Sequence, residues 1–163
     1  MQPEFMGWKK IPRWENETYV ITEKLDGSNG CVIVTEHGDV FAQSRTRVLT
    51  EDSDNYEFCK WVNGNKDELL KLGVGYHYGE WWGKGINRNY GLREKRFSLF
   101  NHYVENLPDC VSVVPIVADT YEQAWERLDR EGSIAVPGYM SPEGFVLQAK
   151  FHRNVRYKVL MNE

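Results

Sequence analysis

Nothing in this chain is suited to crossing a membrane as a helix. Its apolar runs stay well short of the ~20 residues a spanning helix needs, and the N-terminal "MQPEFMGWKK" has no signal-peptide core. Cysteine is scarce. Cys31, Cys59 and Cys110 show neither metal-binding nor redox spacing, so reduced thiols and a cytoplasmic setting are expected. Positive charge is not in excess either: the formal net charge is −4, and total charge therefore gives no support to a general nucleic-acid surface. Locally the balance varies, with "LREKR" and "KFHRNVRYK" basic and "TEDSDNYE" and "DTYEQAWERLDRE" acidic. Low-complexity segments, internal repeats and long linkers are missing, which argues against disorder and solenoids.

What is present is a folding composition. With 163 residues, 41% hydrophobic and 13% aromatic, the chain suits one domain with a real core. Residues 19–24 read as a strand, and "GCVIVTEHGDVFAQS" as a hairpin turning at His37-Gly38-Asp39. After the loop "RTRVLTEDSD", Asp52 or Ser53 is expected to cap a helix holding Phe58, Trp61 and Val62. A second helical segment, "KDELLKLG", stops at Gly73. Strands are expected at "GYHYGEWW", "FSLFNHYV" and "VSVVPIV". The clearest helix is "TYEQAWERLDREG": Thr120 and Gln123 have capping-box spacing, Gly132 ends it, and Tyr121, Trp125 and Leu128 share a face. Two last strands, "GFVLQAKF" and "VRYKVLM", complete an α+β domain of mostly antiparallel strands.

Five places carry candidate chemistry. Lys24, at a strand end before Asp26-Gly27, is either a solvated lysine or a nucleophile projecting into a cleft. In "SRTR", Arg45 and Arg47 are either surface charges or a fork for phosphate or ribose. Glu80 in "GEWWGKGINRNYG" faces water or, if buried, needs a partner or a ligand hydroxyl. The loop after it is not a Walker A, since Lys84 is followed by Gly85 where Ser or Thr is required. Trp81 and Trp82 read as core and cleft wall. Glu143, between Pro142 and an apolar strand, is a turn residue or a ligand for a hard cation or a proton. Arg156 and Lys158 alternate onto one strand face, suiting a phosphate or an exposed edge.

Taken in order, these stretches resemble the covalent nucleotidyltransferase superfamily of ATP-dependent ligases and capping enzymes. "EKLDGSN" is similar to its motif I, "SRT" to Ia, "GEWWG" to III, "FSLFNHY" to IIIa, "EGFV" to IV and "RYKV" to V. Within it the chain most resembles the RNA ligase family, especially its RNA ligase 2-like phage group, from about Ile11 onward. The resemblance implies a nucleotidyltransferase (ATP-grasp-like) fold and a lysyl-AMP formed on Lys24 from ATP. AMP would then pass to a 5′-phosphate RNA end, to be displaced by a 3′-hydroxyl. It further implies Glu23 and neighbouring backbone facing adenine, Asn29, Arg45, Glu80 and Arg156 on the nucleotide, and Phe100 stacking on the base. Phe97 is the alternative for that stacking. Glu143 would serve magnesium or the lysine's proton, and Lys158 the phosphates.

Three departures stand beside the resemblance. Motif V commonly has two lysines, and the first position here is Arg156, which keeps the charge but cannot shuttle a proton. Motif IIIa commonly has an aspartate where this chain has Asn101. The family usually appends an OB or helical domain, whereas residues 1–163 read as a single adenylylation domain without one. The expectations are therefore a cytoplasmic ligase of bacterial or phage-infected-host origin, acting on RNA ends, with a protein partner supplying the missing domain. The alternatives are an adenylyltransferase that only activates ends or another acceptor, and a non-catalytic nucleotide- or RNA-end-binding subunit.

Overall fold

The computed structural model describes residues 1–11, 13, 17–152 and 154–161; Arg153 of the basic run "KFHRNVRYK" lies outside them. The strands are β1 (Tyr19–Lys24), β2 (Ser28–Val34), β3 (Val40–Gln43), β4 (Gly75–Gly83), β5 (Lys95–Leu99), β6 (Val111–Val113), β7 (Ile116–Ala118), β8 (Gly144–Ala149) and β9 (Arg156–Leu160). The helices are α1 (Phe58–Gly64), α2 (Lys66–Leu69) and α3 (Tyr121–Glu131). They build two sheets, ordered β7-β1-β8-β9 and β3-β2-β4-β5-β6. The pairs are antiparallel except β5–β6, which is parallel.

The chain crosses between sheets at two short connections. The first is Leu25–Gly27: β1 belongs to one sheet and β2 to the other, so Lys24 stands where the sheets part. The second is at Pro115. "VSVVPIV" is not one strand as expected but two, β6 in the larger sheet and β7 in the smaller. Proline has no N–H to give a ladder; its carbonyl instead accepts from the Glu23 amide at 3.0 Å. A small core of Leu25, Trp82, Tyr90 and Val114 sits beside these crossings and locks them together.

Each sheet buries one face against helices. Phe58, Cys59 and Val62 of α1 pack on Val32, Ala42, Trp81, Phe97 and Leu99 of the larger sheet. Ala124 and Leu128 of α3 pack on Ile21, Val117, Phe145 and Leu147 of the smaller one. Ala124 and Leu128 are the buried contacts of the helix; Tyr121 and Trp125, expected to share a face with Leu128, are half-exposed, although the Tyr121 ring meets Phe145 edge-on at 5.5 Å and Arg127 donates to the Val117 carbonyl at 2.7 Å. Thr120 caps α3 as expected, its Oγ1 accepting from the Gln123 amide at 3.2 Å. The cap near α1 is Asp54, not Asp52 or Ser53: its carboxylate accepts from the amides of Asn55, Cys59 and Lys60. Ser53 is engaged in a tight turn with Thr50. The expected strand "FSLFNHYV" ends at Leu99, and β5 begins earlier, at Lys95.

Candidate active site

Between the sheets lies a cleft of about 200 Å³ lined by Thr22, Lys24, Asn29, Glu80, Phe100, Val146, Gln148 and Arg156, among others. Strand alternation explains the membership. On β1, Ile21 and Glu23 are buried toward α3 while Thr22 and Lys24 face the cleft. On β8, Phe145 and Leu147 are buried, and Val146 and Gln148 face the cleft. A larger groove of about 500 Å³ adjoins it, sharing Phe100, Gln148 and Arg156. Lys24 and Glu80 line the smaller space.

Lys24 Nζ donates to Glu143 Oε2 at 2.9 Å, with the two side chains only 26% and 17% exposed. They meet because the β1–β8 ladder ends on the pair Lys24 and Gly144. Gly144 is required there: a Cβ would lie 1.8 Å from the Val159 carbonyl oxygen of β9. On the opposite wall Glu80 is buried, and its Oε2 accepts from the Gly27 amide at 3.0 Å. Burial pushes the Glu80 carboxyl up to about 7; the Gly27 amide and the Lys24 charge oppose this, and Glu143 and Asp26 add to it. Gly27 also admits no side chain, since a Cβ would meet the Trp81 carbonyl oxygen at 2.3 Å.

Phe100 and Phe97 are now distinguished. Phe97 is buried among Phe58, Trp61 and Trp81, whereas Phe100 is 38% exposed and lines the cleft. Asn29 is the register partner of Glu80. Arg156 lines the cleft, and Lys158 shares its strand face, paired with Val146. Lys158 and Arg45 are exposed and are not part of the lining. Arg47 is used to brace its own loop, donating to the Ser53 and Asp54 carbonyls. Trp81 is core. Trp82 is buried too, its Nε1 donating to Ser98 Oγ.

The Glu23 side chain is placed away from the expected adenine contact. Its carboxylate points to the other side of the sheet and accepts from Ser133 Oγ and the amides of Ile134 and Ala135 at 2.7–2.9 Å. Burial raises its pKa, with those three donors opposing the rise. What Glu23 offers the cleft is main chain.

The loop after β4 carries groups that sequence reasoning passed over. Tyr90 Oη accepts from the Asp26 amide at 2.8 Å, and burial holds the phenol protonated. Asn87 Nδ2 donates to Asp26 Oδ1 and to the Gly27 carbonyl, both at 2.9 Å. Arg88 pairs with Asp26 Oδ2 and donates from Nε to the Ser141 carbonyl at 3.1 Å. Asn87, Asn89 and Tyr90 all adopt positive φ (44°, 49° and 56°). The only local signal was the cluster of asparagines between glycines, residues that tolerate this conformation.

Comparison with known proteins follows the same lines. A Naegleria gruberi RNA ligase, as an apo mutant, superposes with a TM-score of 0.62 at 21% identity, covering 91% of this chain and 50% of that one. A mutant of a ligase from the same organism with ATP and Mn gives 0.61 at 19% identity, again over 91% and 50%. At these identities the likeness shows the fold, an α+β nucleotidyltransferase-like domain. The chain spans about half the length of these solved relatives. No curated protein matches it. The family model described as RNA ligase matches residues 17–159, and the chain belongs to the RNA ligase family.

Proposed function

We propose that this chain carries the adenylylation chemistry of an ATP-dependent RNA ligase, with Lys24 as nucleophile. The observation that carries the reading is the contact of Lys24 Nζ with Glu143 at the rim of a cleft walled by Glu80, Asn29, Phe100 and Arg156. Family membership supports the class of reaction, and solved relatives with ATP or AMP and Mn support the choice of nucleotide and divalent metal.

A lysine amine is protonated at neutral pH and must lose that proton to attack. Glu143, already hydrogen-bonded to it, takes the proton or relays it to water. Lys24 Nζ then bonds to the α-phosphorus of ATP as the bond to the bridging oxygen breaks and pyrophosphate leaves. In the second step a 5′-phosphate oxygen of RNA attacks that phosphorus and Lys24 departs as an amine. A 3′-hydroxyl finally attacks the activated 5′-phosphorus, and AMP is released. Within the cleft, Phe100 stacks on adenine, main chain at Glu23 faces its edge, and Glu80 and Asn29 hold the ribose. Arg156, with Lys158 and Arg45 swinging in from exposed positions, offsets phosphate charge.

Magnesium fits the donor set in one way. Among the described residues no cluster of three or more His, Cys, Asp or Glu forms a metal cage. A hard cation here would take the Glu143 carboxylate together with phosphate oxygens and water, and when bound it offsets the charge of the reacting phosphates. RNA ends are the proposed polymeric substrate, and a separate protein domain is proposed to assist their capture. No helix among the described residues is long and apolar enough to cross a membrane.

Intact-mass spectrometry tests the reading. Protein incubated with ATP and magnesium is expected to gain one AMP, and Lys24→Ala none; no gain on the unaltered chain would sink it. Pre-adenylylated RNA with a 3′-hydroxyl acceptor then separates sealing from activation. A joined product extends the activity to ligation, and its absence confines it to the first step or two.

A further inference from the structure

Lys24 and Glu143 are 119 residues apart in sequence, and the ladder that brings them together stops at Lys24 and Gly144. Both groups therefore sit at the end of the β1–β8 ladder, where pairing frays most readily, although on the β9 side the Glu143 carbonyl still accepts from the Met161 amide at 3.0 Å. A further tie across this gap is a single side chain. Arg88 pairs with Asp26, two residues beyond Lys24, and donates Nε to the Ser141 carbonyl, two residues before Glu143. Pro142 lies buried between Ser141 and Glu143 and restricts the backbone there, so a fixed Ser141 carbonyl constrains the approach of Glu143.

The loop that holds Arg88 is tied closely to the turn at Asp26 and Gly27, and of its left-handed residues Tyr90 is the one that carries strain. Three non-glycine residues around it hold left-handed backbone, and Asn87 and Tyr90 both bind the turn at Asp26 and Gly27. Strain of this kind persists only where surrounding contacts over-determine it. A guanidinium suits the task because its planar fork can serve a carboxylate and a carbonyl at once; an ammonium is a single point. The Arg88 and Asp26 side chains are only 26% and 21% exposed, so the pair is partly shielded from solvent.

We propose that Arg88 is a positioning residue for adenylylation: it holds the turn bearing Lys24 and the segment bearing Glu143 at working distance, without touching the nucleotide. This rests on the function proposed above. The first test is single-turnover formation of the AMP adduct with varied ATP. Arg88→Ala is expected to lower the maximal rate by about 10–100-fold, in line with the cost of a misplacement near 1 Å. The ATP concentration giving half-maximal rate should change by less than about threefold, the split expected when positioning for the chemical step and not ATP binding is lost. Arg88→Lys keeps the charge and is expected to recover only a small part of the rate. Free guanidinium at sub-denaturing concentration should restore Arg88→Ala but leave Lys24→Ala inactive. Unchanged rates in Arg88→Ala, full rescue by lysine, or a loss residing wholly in ATP affinity would overturn the inference.

A second measurement does not depend on catalysis. In Arg88→Lys, amide hydrogen exchange is expected to quicken together in residues 25–28 and 141–144, with α3 unchanged. Independent behaviour of the two segments would overturn the strut even if no adduct forms. An unaltered protein that forms no adduct, with both segments still coupled through Arg88, would reject the proposed function and leave the strut standing.

Discussion

Glu80→Gln should make the protein more stable at alkaline pH while impairing its chemistry. Burial places the Glu80 carboxyl near 7 against an ordinary value of 4.5. Between these values the folded state holds a proton that the unfolded chain has released, so stability falls as pH rises through that window. At about 1.4 kcal/mol per pH unit the full loss is at most about 3.5 kcal/mol above pH 7. Glutamine keeps an oxygen to accept from the Gly27 amide and carries no charge to desolvate. Thermal unfolding followed at pH 5 and pH 8 reads the effect directly. The variant should match the parent at pH 5 and exceed it at pH 8, with a Tm gain of up to about 6–12 °C for a chain of this size. AMP-adduct formation should fall at both pH values if Glu80 holds the ribose. A variant less stable than its parent at pH 8 would refute the reasoning, because Glu80 would then be a satisfied anion instead of a desolvated one.

Other expectations follow from the same geometry. Phe97→Ala should cost about 3–5 kcal/mol of stability, since it empties a buried aromatic cluster. Phe100→Ala should leave denaturant unfolding nearly unchanged and raise the ATP concentration needed for adduct formation by about tenfold, on the order of one stacking contact. Gly27→Ala drives a methyl against the Trp81 carbonyl and should destabilise by about 1–3 kcal/mol while slowing the adduct more than Glu80→Gln does. Thr120→Ala removes the α3 cap and should cost about 1 kcal/mol, with adduct formation unaffected.

Local patterns were legible wherever one element explains itself. The strand at Tyr19–Lys24, the β2–β3 hairpin, the Thr120 cap and the Gly132 stop all follow from nearby residues. The cleft partners Lys24, Glu80, Glu143 and Arg156 were legible as a succession of motifs, not from any one of them. What escaped depends on where the chain goes next. Nothing in "VSVVPIV" announces that its halves join different sheets, although Pro115 marks the break. The direction of Glu23 follows from strand parity once Lys24 is known to face the cleft, and its partners at 133–135 lie over a hundred residues away. The Arg88 strut is invisible for a like reason. It acts across 62 residues to Asp26 and 53 to Ser141, from a loop whose left-handed turns obey no periodicity.

In "EKLDGSN" a strand ends in lysine just before a tight turn. The turn is the passage between two sheets. Gly27 is there because a β4 carbonyl leaves no room for a side chain, and Lys24 is left overlooking the gap. Peptide mapping after incubation with ATP and magnesium tests that account most directly. AMP is predicted on the Lys24-containing peptide alone, and added pyrophosphate should remove it; AMP on another lysine, or on none, would contradict it.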